Sequence, residues 1–127
     1  MKLSITIVSG LLPSLVQGTK TTFPYSLENC GIVQSIPDAP TKAVTLNQGA
    51  TEVLLALGLE GSMAGHAYID DIIWPAFETA YNSVPELSTR YPTIEQIVDA
   101  EADFLYASYS SAFSGDGSIG YIEYLKK

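Results

Sequence analysis

With 127 residues, 46% of them hydrophobic, the chain is long enough for one small domain that buries about two thirds of the surface its unfolded form exposes. Its 14 acidic and 6 basic residues give a formal net charge of −8, and a chain of that sign repels phosphate backbones, which argues against a nucleic-acid partner. Cys30 is the only cysteine, so it is either a buried thiol or half of a disulfide whose partner lies outside this sequence.

Residues 1–18 differ from the rest. One lysine near the start, an apolar run from Leu3 to Val16 and the Val16-Gln17-Gly18 step predict a secretory signal peptide cleaved before Thr19. A buried first strand or an interfacial segment is the alternative, but Ser4, Ser9, Pro13 and Ser14 interrupt either period. The run is also shorter than the ~20 apolar residues that cross a bilayer. The expected product is exported, extracellular or periplasmic, comprises residues 19–127, and loses Lys2, which takes its charge from −8 to about −9. The residue directly after the cleavage point is Thr19 and not a cysteine, so a lipid anchor there is not expected.

After a polar lead-in, Tyr25-Ser26-Leu27 and Ile32-Val33-Gln34-Ser35-Ile36 flank Glu28-Asn29-Cys30-Gly31, a β-hairpin pattern. Lys42 to Tyr68 then reads as a βαβ unit. Ala43 to Leu46 is an apolar strand and Asn47-Gln48-Gly49 breaks it. Ala50 to Leu57 is a helix predicted to bury Val53, Leu54 and Leu57, Gly58 stops it, and Met63 to Ala67 is the second strand. Such a unit pairs its strands in parallel through a right-handed crossover and offers ligands the turn after its first strand. That makes Asn47, Gln48 and Gly49 the first candidate binding surface.

Trp74, Phe77, Ala80 and Tyr81 recur at helical spacing, and a short strand is expected near Val84. Pro92 opens the next helix, where Thr93 and Gln96 have capping-box spacing and Ile94, Ile97 and Val98 form the predicted buried stripe. Phe104 to Ser108 reads as a buried strand, 109–117 as a Ser/Gly-rich loop, and 118–127 as a final helix that would ordinarily feed another strand. The fold class expected is α/β, a Rossmann-like three-layer parallel sheet with an N-terminal β-hairpin.

Laid out in this order, the hairpin with Glu28-Asn29-Cys30-Gly31, the run from Lys42 to Glu52 followed by Leu57-Gly58-Leu59, and Tyr91-Pro92-Thr93-Ile94-Glu95-Gln96-Ile97 leading to Ala102-Asp103-Phe104-Leu105 carry a resemblance. The chain resembles the N-terminal lobe of the solute-binding proteins of ABC importers, in the branch that handles iron-siderophore complexes and vitamin B12, over roughly residues 23–127. The resemblance implies one lobe of a two-lobe fold, cut short before the linking helix. It further implies capture of a small-molecule metal chelate, a ferric siderophore or a relative, and delivery to an ABC permease, with no catalysis and no cofactor.

Arg90, the only arginine, offers a planar fork of donors to anionic oxygens, beside Tyr91; a salt bridge to one of the acids is the competing reading. Asn47, Gln48 and Gly49 present turn N–H groups, although helix capping uses the same residue types. Tyr68, Asp70, Asp71 and Trp74 form a second loop whose rings suit flat ligands or a core. Ser108 and Tyr109, with Ser110 and Ser111, are further candidates after the last strand. By the resemblance, Glu95 would face arginines of the permease, with Glu52 a second such acid; an ordinary helix-start carboxylate is the alternative for Glu95. His66, the only histidine, lacks companions for a metal site and is expected to be a packed or surface residue. Gly115 to Gly120 satisfies G-x-G-x-x-G, but it stands too far from the preceding strand for a dinucleotide turn and reads as a flexible loop. Competing functional classes are a small secreted α/β enzyme, for which no G-x-S-x-G elbow is present, and an interaction module or inactive remnant.

Overall fold

The computed structural model describes residues 20–29 and 31–113. The predicted signal peptide, Cys30, the glycine-rich motif and the final helix therefore lie outside the described residues. The chain divides into two compact units, one ending at Asp38 and the other beginning at Ala39.

In the first unit, β1 (Tyr25–Asn29) pairs antiparallel with β2 (Ile32–Ile36), from Tyr25 opposite Ile36 to Asn29 opposite Ile32. Gly31 closes the connection at φ +74, a conformation that a residue without Cβ adopts at little cost.

The second unit is built on a parallel sheet of four strands in the order β5-β4-β3-β6: β3 is Ala43–Thr45, β4 Met63–Ala67, β5 Glu86–Ser88 and β6 Phe104–Tyr106. Helix α1 (Gln48–Ala56) joins β3 to β4, α2 (Glu78–Tyr81) joins β4 to β5, and α3 (Ile94–Asp99) joins β5 back across to β6. Right-handed crossovers that first run one way along the sheet and then reverse put α1 and α2 on one face and α3 on the other. Two apolar clusters follow this division. Leu55, Met63 and Val84 pack with Leu54, Phe77, Ala80 and Tyr81, while Val44, Leu46, Ile97 and Ala112 pack with Leu87, Leu105 and their neighbours. The expected three-layer α/β fold with its hairpin is the one observed.

Several helix faces differ from expectation. Helix α1 buries Ala50, Thr51 and Leu55, with Leu54 half-buried, whereas Val53 and Leu57 are exposed. Small residues let the helix approach the sheet: Thr51 Oγ1 lies 2.8 Å from Thr45 Oγ1 and 3.1 Å from the Asn47 carbonyl. On α3 only Ile97 is buried, and Ile94 and Val98 face solvent, because a six-residue helix meets the core along a single turn. The capping box is as expected: Gln96 N–H donates to Thr93 Oγ1 and Thr93 N–H to Gln96 Oε1. Pro75 starts a 3-10 turn (Pro75–Phe77) ahead of the short α2, which shortens the helix expected over 74–81 and leaves Trp74 exposed. The strand expected near Val84 lies two residues later, at Glu86. β6 is half-buried rather than buried because it is the outer described strand of the sheet.

Asp103 fixes the entry to β3. Its carboxylate accepts from the backbone N–H and hydroxyl of Thr41 and from Lys42 N–H, at 2.8, 3.0 and 2.9 Å. Burial raises the Asp103 carboxyl, but these donors outweigh it and hold it below the ordinary carboxylate range. Beside it Lys42 pairs with Glu101.

Candidate functional site

Because all four strands of the second unit run parallel, the segments that leave β3, β4, β5 and β6 emerge along one edge of the sheet. That edge collects every candidate ligand residue: Asn47, Gln48 and Gly49 after β3, Tyr68 after β4, Arg90 and Tyr91 after β5, Ser108 and Tyr109 after β6. The chain moves from β3 to one side and later returns to the other, so β3 and β6 flank the topological switch point, where open α/β sheets leave a crevice.

Asn47 spans that crevice. It is buried and extended (φ −167, ψ 161) as the residue before α1, yet its side chain makes no capping bond; Oδ1 instead accepts Ser108 N–H at 2.9 Å. A Cβ on Gly49 would meet Ser108 Oγ at 3.8 Å, so the first turn of α1 and the loop after β6 are already neighbours.

Gln48 and Glu52, one helical turn apart, hold the loop after β4. Gln48 Oε1 accepts Asp71 N–H at 2.8 Å and Nε2 donates to the Ile72 carbonyl at 3.1 Å, while Glu52 Oε1 accepts Trp74 N–H at 3.0 Å. Sequence reasoning missed this role; the signal was an i, i+4 polar pair on a helix face turned toward a loop. The loop so held displays Ile72 and Trp74, which are 85% and 64% exposed, and Ile72 lines a groove of about 290 Å³ with Ile69, Asp71, Ile73, Glu78 and Tyr81 among others.

Tyr68, Arg90 and Tyr91 form a cluster. Arg90 Nη1 donates to the Tyr68 hydroxyl at 3.1 Å, and the guanidinium carbon lies 5.5 Å from the Tyr68 ring centre. The Tyr68 and Tyr91 rings are tilted against each other at 4.7 Å, and the Tyr91 hydroxyl shares a 2.8 Å hydrogen bond with Ser111 Oγ. Arg90 has no carboxylate within ion-pair distance among the described residues, where the ion pair is Lys42–Glu101, so the salt bridge considered for it is not formed there. Tyr68 adopts φ +54, a region that costs a tyrosine about 1–2 kcal/mol and that its N–H bond to the Ser88 carbonyl, 3.2 Å, helps to hold. Tyr109 is exposed, 64% accessible.

The acids proposed to meet a partner differ in setting. Glu95 is exposed in the first turn of α3, and its own backbone N–H, then the Thr93 hydroxyl, hold its carboxyl below the usual range. Glu52 is half-buried and engaged with Trp74 N–H. His66 is a packed side chain, 1% exposed, with its ring 4.4 Å from that of Tyr81; burial lowers its pKa against the opposing effects of Glu86 and the Val84 carbonyl. No described helix is long and apolar enough to cross a membrane.

No protein-family model and no curated protein matches the chain. Solved structures do, among them the following two. A periplasmic binding protein from Veillonella parvula DSM 2008 superposes with a TM-score of 0.69 at 31% identity, over 80% of this chain and 34% of that one. An ABC-type Fe3+-hydroxamate transport system protein from Saccharomonospora viridis DSM 43017 superposes with a TM-score of 0.53 at 20% identity, over 66% of this chain and 32% of that one. The chain spans about a third of the length of these structures. Its second unit thus has the fold of a periplasmic binding-protein lobe, with its candidate residues gathered at the strand ends.

Proposed function

We propose that this chain is a solute-binding module of an ABC importer that captures a ferric siderophore or related small-molecule metal chelate at the sheet edge and hands it to a permease. The observation that carries the reading is the convergence, on one edge, of a guanidinium with no carboxylate at ion-pair distance among the described residues, two tyrosine rings tilted against each other and the bridged Asn47–Ser108 crevice. A chelate presents oxygens and flat apolar faces, and this edge offers donors for the first and rings for the second. The likeness to a protein of Fe3+-hydroxamate transport supports the same substrate class.

In this reading Asn47, Gln48, Gly49, Tyr68, Arg90, Tyr91, Ser108 and Tyr109 line the ligand site, and Glu95, with Glu52 secondarily, faces the permease. The leader directs the module to the periplasm or the cell exterior. The test is titration of the chain with a ferric trihydroxamate, a ferric tris-catecholate and a corrinoid, followed by quenching of Trp74, which is exposed at the same edge. At least one should bind, and Arg90→Gln should weaken it about tenfold or more. Absence of binding by all three, or an unchanged affinity in Arg90→Gln, overturns the reading.

A further inference from the structure

The edge that would hold the ligand is short of positive charge. In residues 39–113 the basic side chains are Lys42 and Arg90. Lys42 precedes β3, at the opposite edge of the sheet, and is paired with Glu101. Arg90 is thus the sole basic side chain among the described residues at the ligand edge. Among the described residues its guanidinium makes one hydrogen bond, to the Tyr68 hydroxyl.

Around it the supply is neutral or negative. Tyr91, Ser108 and Asn47 contribute hydroxyl and amide groups, and Asp70 and Asp71 follow Tyr68 on the same loop, both exposed. Asp71 cannot swing freely, since its backbone N–H is held by Gln48 and its Oδ1 accepts Ile72 N–H at 2.7 Å. The whole chain adds a field of net charge −8. One guanidinium can balance about one ligand charge; the carboxylates of Asp70 and Asp71, on the loop that follows Tyr68, repel any further ones.

Resting on the chelate-binding reading above, we infer that the site is built for a neutral or singly anionic metal chelate and discriminates against a highly anionic one. The chemistry of the two main oxygen chelate types separates on this point. Three hydroxamates, each a monoanion, cancel the charge of a trivalent metal, whereas three catecholates, each a dianion, leave a complex of charge 3−. Arg90 then serves as a directional donor to one chelate oxygen rather than as part of a cationic basket, and the Tyr68–Tyr91 pair supplies the apolar face.

The experiment is an NMR titration of the full chain with the gallium(III) complexes of a trihydroxamate (neutral) and of a tris-catecholate of matched size (3−). Ionic strengths of about 0.01 M and about 0.15 M span screening lengths of about 30 Å to about 8 Å. At low salt the neutral complex should bind at least about tenfold tighter, and salt should narrow the gap by weakening the repulsion. The double variant Asp70→Asn, Asp71→Asn should tighten the tris-catecholate alone. Equal or tighter binding of the tris-catecholate by the unaltered chain overturns the inference while leaving the chelate reading intact. A preference for the neutral complex that neither salt nor the double variant alters overturns the electrostatic cause. Binding of neither complex overturns the inference, and if the corrinoid also fails to bind it overturns the chelate reading itself.

Discussion

Replacing Asn47 by alanine removes a side-chain bond that ties the turn after β3 to the loop after β6. Asn47 is 6% exposed and its Oδ1 stands 2.9 Å from Ser108 N. A net hydrogen bond of this kind is worth about 0.5–1.5 kcal/mol, and loss of a buried partner raises the cost toward 1–3 kcal/mol. Ser108 is itself exposed, so water can reach its N–H once the amide is gone, which places the expected loss near 1.5 kcal/mol. For a domain of this size that corresponds to a fall in Tm of roughly 6–12 °C. The assay is urea and thermal unfolding followed by far-UV circular dichroism, with an unchanged urea slope showing that the denatured state is not altered. Asn47→Asp, which keeps the acceptor oxygen, should recover part of the loss. A fall of less than about 1 °C in Asn47→Ala would refute the bridge as a structural element of the crevice.

Gly65→Ala would set a Cβ at 2.5 Å from Leu87 Cγ and should destabilise the chain by about 1–3 kcal/mol; adding Leu87→Ala should make the double change cost less than the sum of the two single ones in the same unfolding assay. His66, whose folded-state pKa is lowered mainly by burial, favours the native state fully above its unfolded value of about 6.5 and loses that contribution as pH falls toward the lowered value. Unfolding midpoints of the unaltered chain should therefore drop as pH falls below about 6.5, and His66→Gln should flatten that slope. Asp103, also lowered, contributes above its unfolded pKa of about 3.9 and loses the contribution as pH falls through its folded value; Asp103→Asn should remove that acid-sensitive step from a pH titration of stability.

What could be read from the sequence was what depends on neighbours in sequence. The hairpin, the strand-turn-helix-strand run from Lys42 to Tyr68 and the Thr93–Gln96 box are local patterns, and each formed with shifts of a residue or two at its ends. Gathering of Asn47, Tyr68, Arg90 and Ser108 at one edge followed from parallel pairing alone. Which face of a short helix turns inward did not follow, because on α1 and α3 the choice was made by contacts distant in sequence. Val53, Leu57 and Val98 are apolar enough to be buried, but small Ala50 and Thr51 allow a closer approach of α1, and one turn of α3 needs only Ile97. The partners of Gln48 and Asp103 lie 23 and 62 residues away, and no local pattern announces such pairings.

Those separations have a consequence for how the molecule comes into being. β3, α1 and β4 are consecutive and can associate while the rest of the polypeptide is still being made, whereas the Thr41–Asp103 and Asn47–Ser108 bonds join residues 62 and 61 positions apart. Closing a loop of that length costs about 4 kcal/mol of chain entropy, and the cost is met only when β6 arrives beside β3. The cradle between those two strands cannot exist in a nascent fragment that ends before Ser108, so completion of the described sheet and closure of the crevice at Asn47 are a single late event.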